Sequence, residues 1–374
     1  MLVQLLEVNG LQGYNIKNTI HDSNLDVSLI SCHEMPFNKL NQIWLEIENN
    51  AECHVFLSWS WISCWLRSCP QEYKILLFSD EGKHKGIAII FESKRKLFKL
   101  LNVKQWFLNR TGNEKYDQCW IEYNDILAVK GFEKQVAESF QRFIASSSQF
   151  DELIIGMSND NRYQKINGYS TETLLADQGY LVNFNEINND YLEEIPSRNT
   201  RQKINKTKRL LESKGDLGFE IISDKTKKLG LLPFISEKHK KKWDSTKTPS
   251  GFNNPVFLKY FKACLESDFS QLATLSLDGR PIAVLVNYIY QQNINFYLSA
   301  INYDQHAKLQ LGMLVHSLAI EHYRKQGFIV YDFLVGDARY KKSLSTDSYQ
   351  QIMTRIYNNK FSLNLEMKLK SLKN

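Results

Sequence analysis

Apolar residues recur at two periods along this chain, and the order of the two periods predicts a mixed α/β fold. Spacings of three and four residues are typical of helices, and the helices predicted in the first half are 36–49, 58–68 and 132–145. Residues 73–93 instead carry two apolar runs around a turn with Asp80, Glu81 and Gly82, which predicts a β-hairpin. The remaining strands of this half are expected at 97–107, 119–121 and 152–156.

The second half repeats this order of elements. Residues 269–301 predict a strand, an Asp-Gly turn, a second strand, a short turn and a third strand, followed by a helix at 311–326 and a strand at 328–335. Two pairs of segments also match: SDEGKHKGIAII with LDGRPIAVLV, and FDELIIG with VYDFLVG. Any strand–turn–strand unit looks like another, but the shared order of helix and closing strand favours duplication. We therefore predict a mixed-sheet α/β fold in two tandem copies.

The polar segment NNDYLEEIP predicts the boundary between the two copies. We divide the chain into a tail or edge segment at 1–25, a first domain at 26–188 that we expect to be non-catalytic, and a second domain at 189–374. The second domain opens with a helix, because Ser197 is a suitable N-cap and Gly215 a suitable C-terminal stop.

Charge is distributed unevenly along the chain. The net charge of +6 is modest for 374 residues, but residues 191–260 hold 16 basic and 8 acidic side chains, and residues 197–210 hold six basic and no acidic ones. A helix of this kind can steer the phosphates of a cofactor, an acidic glycan or a tRNA. It can equally be the solvated face of an amphipathic helix.

Several classes of protein are disfavoured by the sequence. No apolar run approaches the roughly 18 residues of a membrane helix, and MLVQLLEVNG has no Lys or Arg before its apolar stretch, as a secretory signal would. We therefore expect a cytoplasmic protein without a membrane span. The six cysteines and eight histidines show no metal-ligand spacing, so no metal is expected.

The helix predicted to begin near Gly312 is a candidate site for an anionic cofactor. The first turn of a helix offers backbone N–H groups and the positive end of the helix dipole, and both suit a pyrophosphate. Gly312 would let a phosphate approach the backbone closely, and Lys308 or Gln310 can add a donor. A glycine at a helix start is, however, more often only part of a turn.

Four stretches of the second half resemble one known family. They are SRNTRQKINKTKRLLESKG, EKHKKKWDS, LATLSLDGRPIAVLVNYIY and, most specifically, YDFLVGDARYKKSLS. With them, residues 197–358 resemble the acetyltransferase domain of the CelD-like, FemAB-related branch of the GNAT superfamily, whereas the first half is similar only in its order of elements. The resemblance implies tandem GNAT-like domains and an acetyl-CoA or other acyl-CoA donor. It also implies transfer to a small amine or amino sugar, in cell-envelope or extracellular polysaccharide biosynthesis.

The resemblance implies roles for single residues as well. In GNAT folds the strand that would carry Tyr297 parts from its neighbour and exposes backbone for the pantetheine arm of the donor. Arg198 and Arg201 match the family pattern best, and we expect them to contact the substrate. Gly336, which ends the matching strand, is expected at the substrate too.

The chemistry of acyl transfer singles out further candidates. Transfer from a thioester to an amine needs a neutral amine, a donor to the carbonyl oxygen and an acid for the leaving thiolate. Asp332 lies in the apolar strand IVYDFLVGD, where a carboxylate is costly unless it accepts a proton or pairs with a buried Arg or Lys. Tyr340 and Lys341 follow in an expected loop, where Tyr340 can protonate the thiolate and Lys341 can bind an anionic substrate.

His239 and Trp243 are four residues apart and share one face of a predicted helix. His239 is a candidate base or a packing residue, and Trp243 is a candidate substrate contact or a core residue.

Two other functions stay open. A FemX-like aminoacyltransferase, which extends a peptidoglycan peptide from aminoacyl-tRNA, has a similar architecture and fits the basic helix. The small net charge and the lack of a long helical hairpin to reach tRNA speak against it. A non-catalytic GNAT scaffold in a polysaccharide pathway is the third hypothesis. Leu309 favours it, because that residue stands where the superfamily's phosphate loop has Arg or Gln.

Overall fold

The computed structural model describes residues 24–159, 163, 166–246, 249–304 and 309–371. Within them the chain forms strands that belong to one sheet: β1 (Asp26–Ser31), β2 (Lys74–Asp80), β3 (Lys83–Leu97), β4 (Leu101–Leu108), β5 (Leu127–Ala128), β6 (Glu152–Ser158), β7 (Tyr169–Asn183), β8 (Leu217–Ile222), β9 (Ser270–Leu277), β10 (Arg280–Tyr290), β11 (Asn293–Ile301), β12 (Val330–Val335) and β13 (Asp347–Asn358). The helices are α1 (Phe37–Glu48), α2 (Trp59–Ser68), α3 (Glu133–Ser146), α4 (Tyr191–Glu194), α5 (Arg198–Glu212), α6 (Lys225–Gly230), α7 (Leu232–Trp243), α8 (Pro255–Glu266), α9 (Leu311–Lys325), α10 (Arg339–Leu344) and α11 (Phe361–Ser371).

The two halves repeat one order of elements, which confirms the duplicated mixed α/β fold. In each half an edge strand and a helical segment precede three antiparallel strands, and a helix then leads to a strand parallel to the third of them. The matching hairpins turn alike, because Glu81 and Gly82 in the first and Asp278 and Gly279 in the second all have positive φ. This is the turn that the twist of a two-residue hairpin favours.

The last strand of each half is exchanged with the other half. β13 pairs antiparallel with β6 of the first half, and β7 pairs antiparallel with β12 of the second. β7 and β13 also pair with each other at the centre of the sheet. The exchange joins the halves into one continuous sheet and brings loops of the first half to the strand ends of the second.

Helices cover both faces of this sheet. On one face α1, α2 and α8 share a core that crosses between the halves, where the rings of Trp61 and Tyr260 lie 5.8 Å apart. On the other face α3 packs on the first half, and α5 and α9 pack on the second. Residues alternate between the two faces along the strands, so both faces of the sheet are apolar. In the described part of the chain, no helix is long and apolar enough to cross a membrane.

One predicted strand is wrong. Residues 119–121 do not pair in the sheet; Asp117–Cys119 forms a 3-10 turn instead. The Asp117 carboxylate accepts hydrogen bonds from the N–H groups of Thr111 and Gly112, which closes this segment into a loop. The short strand of this region is Leu127–Ala128, paired with β3. Of the predicted tail or edge segment, residues 1–23 lie outside the described part of the chain.

Candidate functional site

The parallel strands β11 and β12 part from each other after a short paired stretch. They pair only where Asn293–Asn295 meet Val330–Asp332. Beyond that point Tyr297 is an extra residue in the ladder between β11 and β10, since Phe296 and Leu298 oppose the adjacent residues Asn287 and Val286. A bulge of this kind bends its strand and disrupts local pairing. The result is a wedge-shaped opening in the sheet, at the position predicted for Tyr297.

A cavity of about 250 Å³ lies in this opening, and we call it the wedge cavity. Residues of both halves line it: Gln118, Trp120, Glu122, His239, Pro249, Gly251, Phe257, Phe296, Tyr297, Leu298, Phe333, Leu334, Val335 and Lys341. The structure thus brings together three of the predicted site residues, His239, Tyr297 and Lys341. Aromatic walls with a few polar groups are typical of small-molecule sites.

Glu122 is the acidic residue of the wedge cavity, and it reaches the cavity from the first half. It lies in the loop between β4 and β5, which is held in place by hydrogen bonds from the Asn124 amide to Leu108 O and from the Asn109 amide to Asn124 Oδ1. The side chain of Glu122 is 4% exposed, and its Oε2 accepts the backbone N–H of Val335 at 2.9 Å.

The environment of Glu122 favours a carboxyl group that titrates near neutral pH. Burial raises the pKa of Glu122 to about 8, against the opposing effects of the Val335 hydrogen bond and the nearby Lys341 ammonium. Burial lowers the pKa of Lys341 in turn. A cleft carboxyl with such a pKa is suited to proton transfer.

Asp332 lies behind the cavity rather than in its wall. It is 3% exposed, and it accepts hydrogen bonds from the hydroxyls of Tyr123 and Tyr349 and from the N–H of Leu334. Burial raises its pKa, and these hydrogen bonds oppose the rise. The prediction of an Arg or Lys partner for Asp332 is therefore wrong. Tyrosine hydroxyls and a backbone amide donate the hydrogen bonds that this carboxylate accepts.

The loop that was expected after β12 is also wrong. Tyr340 and Lys341 belong to the short helix α10, and Lys341 is buried. Its ammonium donates to the carbonyl oxygens of Leu334 and Val335, at 3.1 and 2.6 Å, and so fixes the bulged end of β12. Gly336 has a φ of 120°, and a Cβ there would lie 3.2 Å from the Lys341 Nζ, so glycine leaves room for this ammonium.

A second cavity, the α9 cavity, lies at the N-terminus of α9. It measures about 220 Å³, and its wall includes the predicted Gln310, Gly312 and Tyr340 together with His316 and Ser299 of β11. Within the described residues no side chain caps the first turn of α9, so its N–H groups lack both an intrahelical partner and a side-chain cap, and the cavity lies beside this turn. Lys308 lies outside the described residues.

A third cavity, of about 350 Å³, continues from the α9 cavity toward α5. It shares Gln310, Met313 and Tyr340 with the α9 cavity and adds Lys203 and Arg339. We call the two together the α9 groove. Burial raises the pKa of Tyr340 and lowers that of His316 to about 3, so both face the groove in their neutral forms.

His239 and Trp243 differ in their placement. The Nδ1 of His239 is 2.8 Å from Ser250 Oγ, and burial lowers the pKa of His239 to about 4, so the imidazole at the wedge cavity is neutral. Trp243 is half-buried with its ring 6.0 Å from that of His239, and it lines none of the cavities described above.

Arg198 and Arg201 lie on α5 but not in the α9 groove wall. Arg201 forms an ion pair with Glu193 at 2.8 Å and donates to the Glu193 carbonyl oxygen, so it joins α5 to α4. Arg198 is exposed at the start of the helix.

The corresponding opening in the first half is filled. β4 and β6 are parallel and pair as far as Leu108 and Ile155. Beyond them Asn124 bridges the strands, since its backbone N–H donates to Met157 O and its side chain to Leu108 O. Asn124 thus fills the gap between β4 and β6, and the loop that carries it also supplies Glu122 to the wedge cavity of the second half.

Sequence reasoning missed Glu122, Tyr123 and His316. Glu122 and Tyr123 lie in CWIEYND, where an acidic residue within an apolar run offered the same clue that pointed to Asp332. His316 lies on the buried face of α9, where a histidine is indistinguishable from a core residue. In the described part of the chain no His, Cys, Asp and Glu side chains are grouped as a metal site would require.

Comparison with known families and structures agrees with this geometry. Residues 198–342 match the family described as "Acetyltransferase (GNAT) domain". The match lies within the second half, which is therefore similar to a GNAT acetyltransferase domain. No curated protein sequence matches it.

Solved structures show the same fold across nearly the whole chain. FemX has a TM-score of 0.58 at 11% identity, with 87% of this chain and 97% of FemX covered. The C-terminal domain (DUF2156) of a putative lysylphosphatidylglycerol synthetase from Agrobacterium fabrum gives 0.54 at 10% identity, with 89% and 96% covered. L-PGS from Bacillus licheniformis gives 0.51 at 11% identity, with 88% and 94% covered. At these identities the similarity to FemX and to the other two structures concerns the fold alone.

Proposed function

We propose that this chain is an acyl-CoA-dependent N-acyltransferase that acts on a small amine or an amino sugar. The observation that carries the proposal is the parting of β11 and β12 beside the first turn of α9, which no side chain of the described residues caps. Unpaired strand edges can bind an extended amide-containing arm, and a helix N-terminus can bind a pyrophosphate. An acyl-CoA has both groups, in this order.

The α9 groove suits the phosphates of such a donor. Gly312 is in the first turn, where an added Cβ would lie 3.2 Å from Ile301 Cδ1, so a larger residue would crowd the turn. Lys203 and Arg339 supply positive charge to the groove wall. The first turn of α9 and these two cations would hold the phosphates, and the Tyr297 bulge would face the acyl end.

In the proposed reaction, Glu122 accepts the proton that the amine loses as its nitrogen bonds to the acyl carbon. Tyr340, which is protonated at neutral pH, donates its hydroxyl proton to the thiolate as the carbon–sulfur bond breaks, and the proton taken up by Glu122 then returns through solvent to the Tyr340 phenolate. The neutral His239 would contact the acceptor in the wedge cavity. An attack without a covalent enzyme intermediate is consistent with the lack of a nucleophile motif in the sequence.

Lys341 and Asp332 have supporting roles in this proposal. Lys341 holds the carbonyl groups at the end of β12, and its charge lowers the pKa of Glu122. Asp332 holds Tyr123 and the turn at Leu334. The family resemblance favours an acceptor from cell-envelope or extracellular polysaccharide synthesis.

A FemX-like aminoacyltransferase is the second candidate. The basic helix α5 borders the α9 groove through Lys203, and the fold is similar to that of FemX. Aminoacyl-tRNA would place its phosphates on the same basic surface. A scaffold that binds neither donor is the third candidate.

Calorimetric titration of the full chain with acetyl-CoA separates these candidates. The expected result is saturable binding that Gly312→Val weakens. Salt-sensitive binding of aminoacyl-tRNA without binding of acetyl-CoA would favour the second candidate, and binding of neither donor, with no thermal shift, would favour the scaffold.

A further inference from the structure

The hairpin of β3 and β4 ends in an apolar tip. Leu97 pairs with Leu101 at the last rung of the ladder, and Phe98, Lys99 and Leu100 form the turn. The exposed fractions are 46% for Phe98, 81% for Leu100 and 48% for Leu101. Three large apolar side chains thus project together from one narrow point.

The turn itself is made of unfavourable residues. Phe98 and Lys99 have φ values of 51° and 62°, in the left-handed region. Tight hairpins with two such residues strongly prefer Asn and Gly, because other side chains are strained there. The sequence therefore places an exposed Phe where local stability favours Asn.

Exposed lysines surround this tip. Lys94, Lys96, Lys99 and Lys104 are all exposed, and residues 93–104 contain no acidic side chain. Lys94 lies directly opposite Lys104 in the ladder. Like charges in opposed positions destabilise a strand pair, so an anionic surface in contact with this hairpin would relieve that repulsion.

The base of the hairpin is rigid. Arg95, on the opposite face, binds the carboxylates of Glu152 and Glu366. Leu97 is 3% exposed and packs with Val103, Tyr357 and Leu363. The tip is therefore presented on a fixed support.

We propose that the β3–β4 tip docks this protein on an anionic lipid bilayer. Phe98, Leu100 and Leu101 would insert at the boundary of headgroups and acyl chains, and the four lysines would contact lipid phosphates. Interfacial anchors combine apolar side chains with basic ones in this way. A stable protein partner needs roughly 800 Å² of surface from each side, far more than three side chains at one point offer.

Vesicle co-sedimentation of the full chain tests this docking. We expect binding to vesicles made of equal parts phosphatidylcholine and phosphatidylglycerol, and little binding to phosphatidylcholine alone. The double variant Phe98→Asn and Leu100→Ser should bind at least tenfold more weakly, without loss of fold, since Asn suits the left-handed turn. Lys94→Gln and Lys99→Gln should each weaken binding roughly fivefold at low salt.

Matched controls lie elsewhere on the surface. Lys83→Gln, at the other end of β3, and Leu258→Ser, an exposed position on α8, should leave vesicle binding unchanged. The proposal is overturned if the wild-type chain does not sediment with anionic vesicles, or if the tip variants bind as well as the wild type. It is also overturned if inorganic phosphate abolishes vesicle binding of the wild type while the double variant still binds vesicles. A dimer that forms through the tip, and that Leu100→Ser dissociates, would overturn it as well.

Discussion

Glu122 accepts a hydrogen bond from the backbone N–H of Val335, at 2.9 Å, although 213 residues separate the two along the chain. Val335 ends the bulged strand β12 of the second half, and Glu122 belongs to a loop of the first half. The contact places a buried carboxyl in the wedge cavity that the second half alone would not contain. The first half, with its own opening filled, thus contributes to the site of its partner half.

Glu122→Gln should lower kcat by about a hundredfold to ten-thousandfold, which is the usual contribution of a general base. The amide oxygen of Gln can still accept the Val335 N–H, so the fold should persist. Steady-state kinetics with an acyl-CoA and an amine acceptor measure the effect. Glu114→Gln, an exposed position in the same loop, is the matched control.

The same carboxyl predicts a pH dependence of activity. Because the base must be deprotonated, kcat/KM should fall as the pH decreases below about 8, the pKa of Glu122. The residual activity of Glu122→Gln should lack this limb. An identical pH profile in both proteins would assign the proton transfer to another group.

The stability of the Glu122→Gln variant relative to the wild type should depend on pH. The folded-state pKa of Glu122 is raised above its unfolded value, so its contribution to stability is complete below about pH 4 and is lost as the pH rises through about 8. Gln stays neutral, and the Tm of the variant minus that of the wild type should therefore increase through this range. A constant difference would contradict the raised pKa.

Lys341→Met should shift the pH profile of kcat/KM to higher pH, because the ammonium that lowers the pKa of Glu122 is lost. It should also lower the free energy of unfolding by about 1–3 kcal/mol, since two buried carbonyl groups lose their donor. Lys342→Met changes an exposed neighbour and should do neither. If the midpoint of the kcat/KM profile stays the same in Lys341→Met, then Lys341 does not influence the pKa of Glu122.

Asp332→Asn should destabilise the fold more than it slows catalysis. Three donors converge on the carboxylate, and an amide NH₂ in its place would leave a buried donor unpaired, at a cost of about 1–3 kcal/mol. Urea unfolding and kcat, measured on the same preparation, show whether the loss of stability exceeds the loss of catalytic rate. Tyr349→Phe, which removes one donor, should cost less. Loss of turnover at unchanged stability would place Asp332 in the reaction itself.

Gly312→Val should raise the KM for acyl-CoA at least tenfold and change kcat little, because side-chain bulk at the first turn of α9 keeps phosphate from the backbone. Binding of the donor should weaken in parallel by calorimetry. Gly230→Val, in α6 where no atom lies within 4 Å of an added Cβ, is the control. An unchanged KM for acyl-CoA would show that the phosphates of the donor do not bind at the N-terminus of α9.

The sequence by itself determined many elements of this fold and their duplication, but not β7 or β13, the two strands that the halves exchange. Helical and strand periods depend on neighbours along the chain, so α9, the hairpins and the strand around Asp332 were predicted to within a few residues. A carboxylate in an apolar strand is buried wherever the strand goes, which is why Asp332 was identified as unusual. The segment at 119–121 was mistaken for a strand because the Asp117 turn that closes it depends on contacts with Thr111 and Gly112.

Only the tertiary structure decided which of these groups meet. The exchange of β7 and β13 sets the halves side by side, and this contact between distant segments places Glu122 next to Val335 and Lys341. It also turned Lys341 inward and gave Asp332 tyrosine partners in place of the expected cation. Local sequence patterns indicate which residues are buried. A buried charge has no water to bind and therefore needs a partner within the protein, and the chain topology determines which residue is close enough to be that partner.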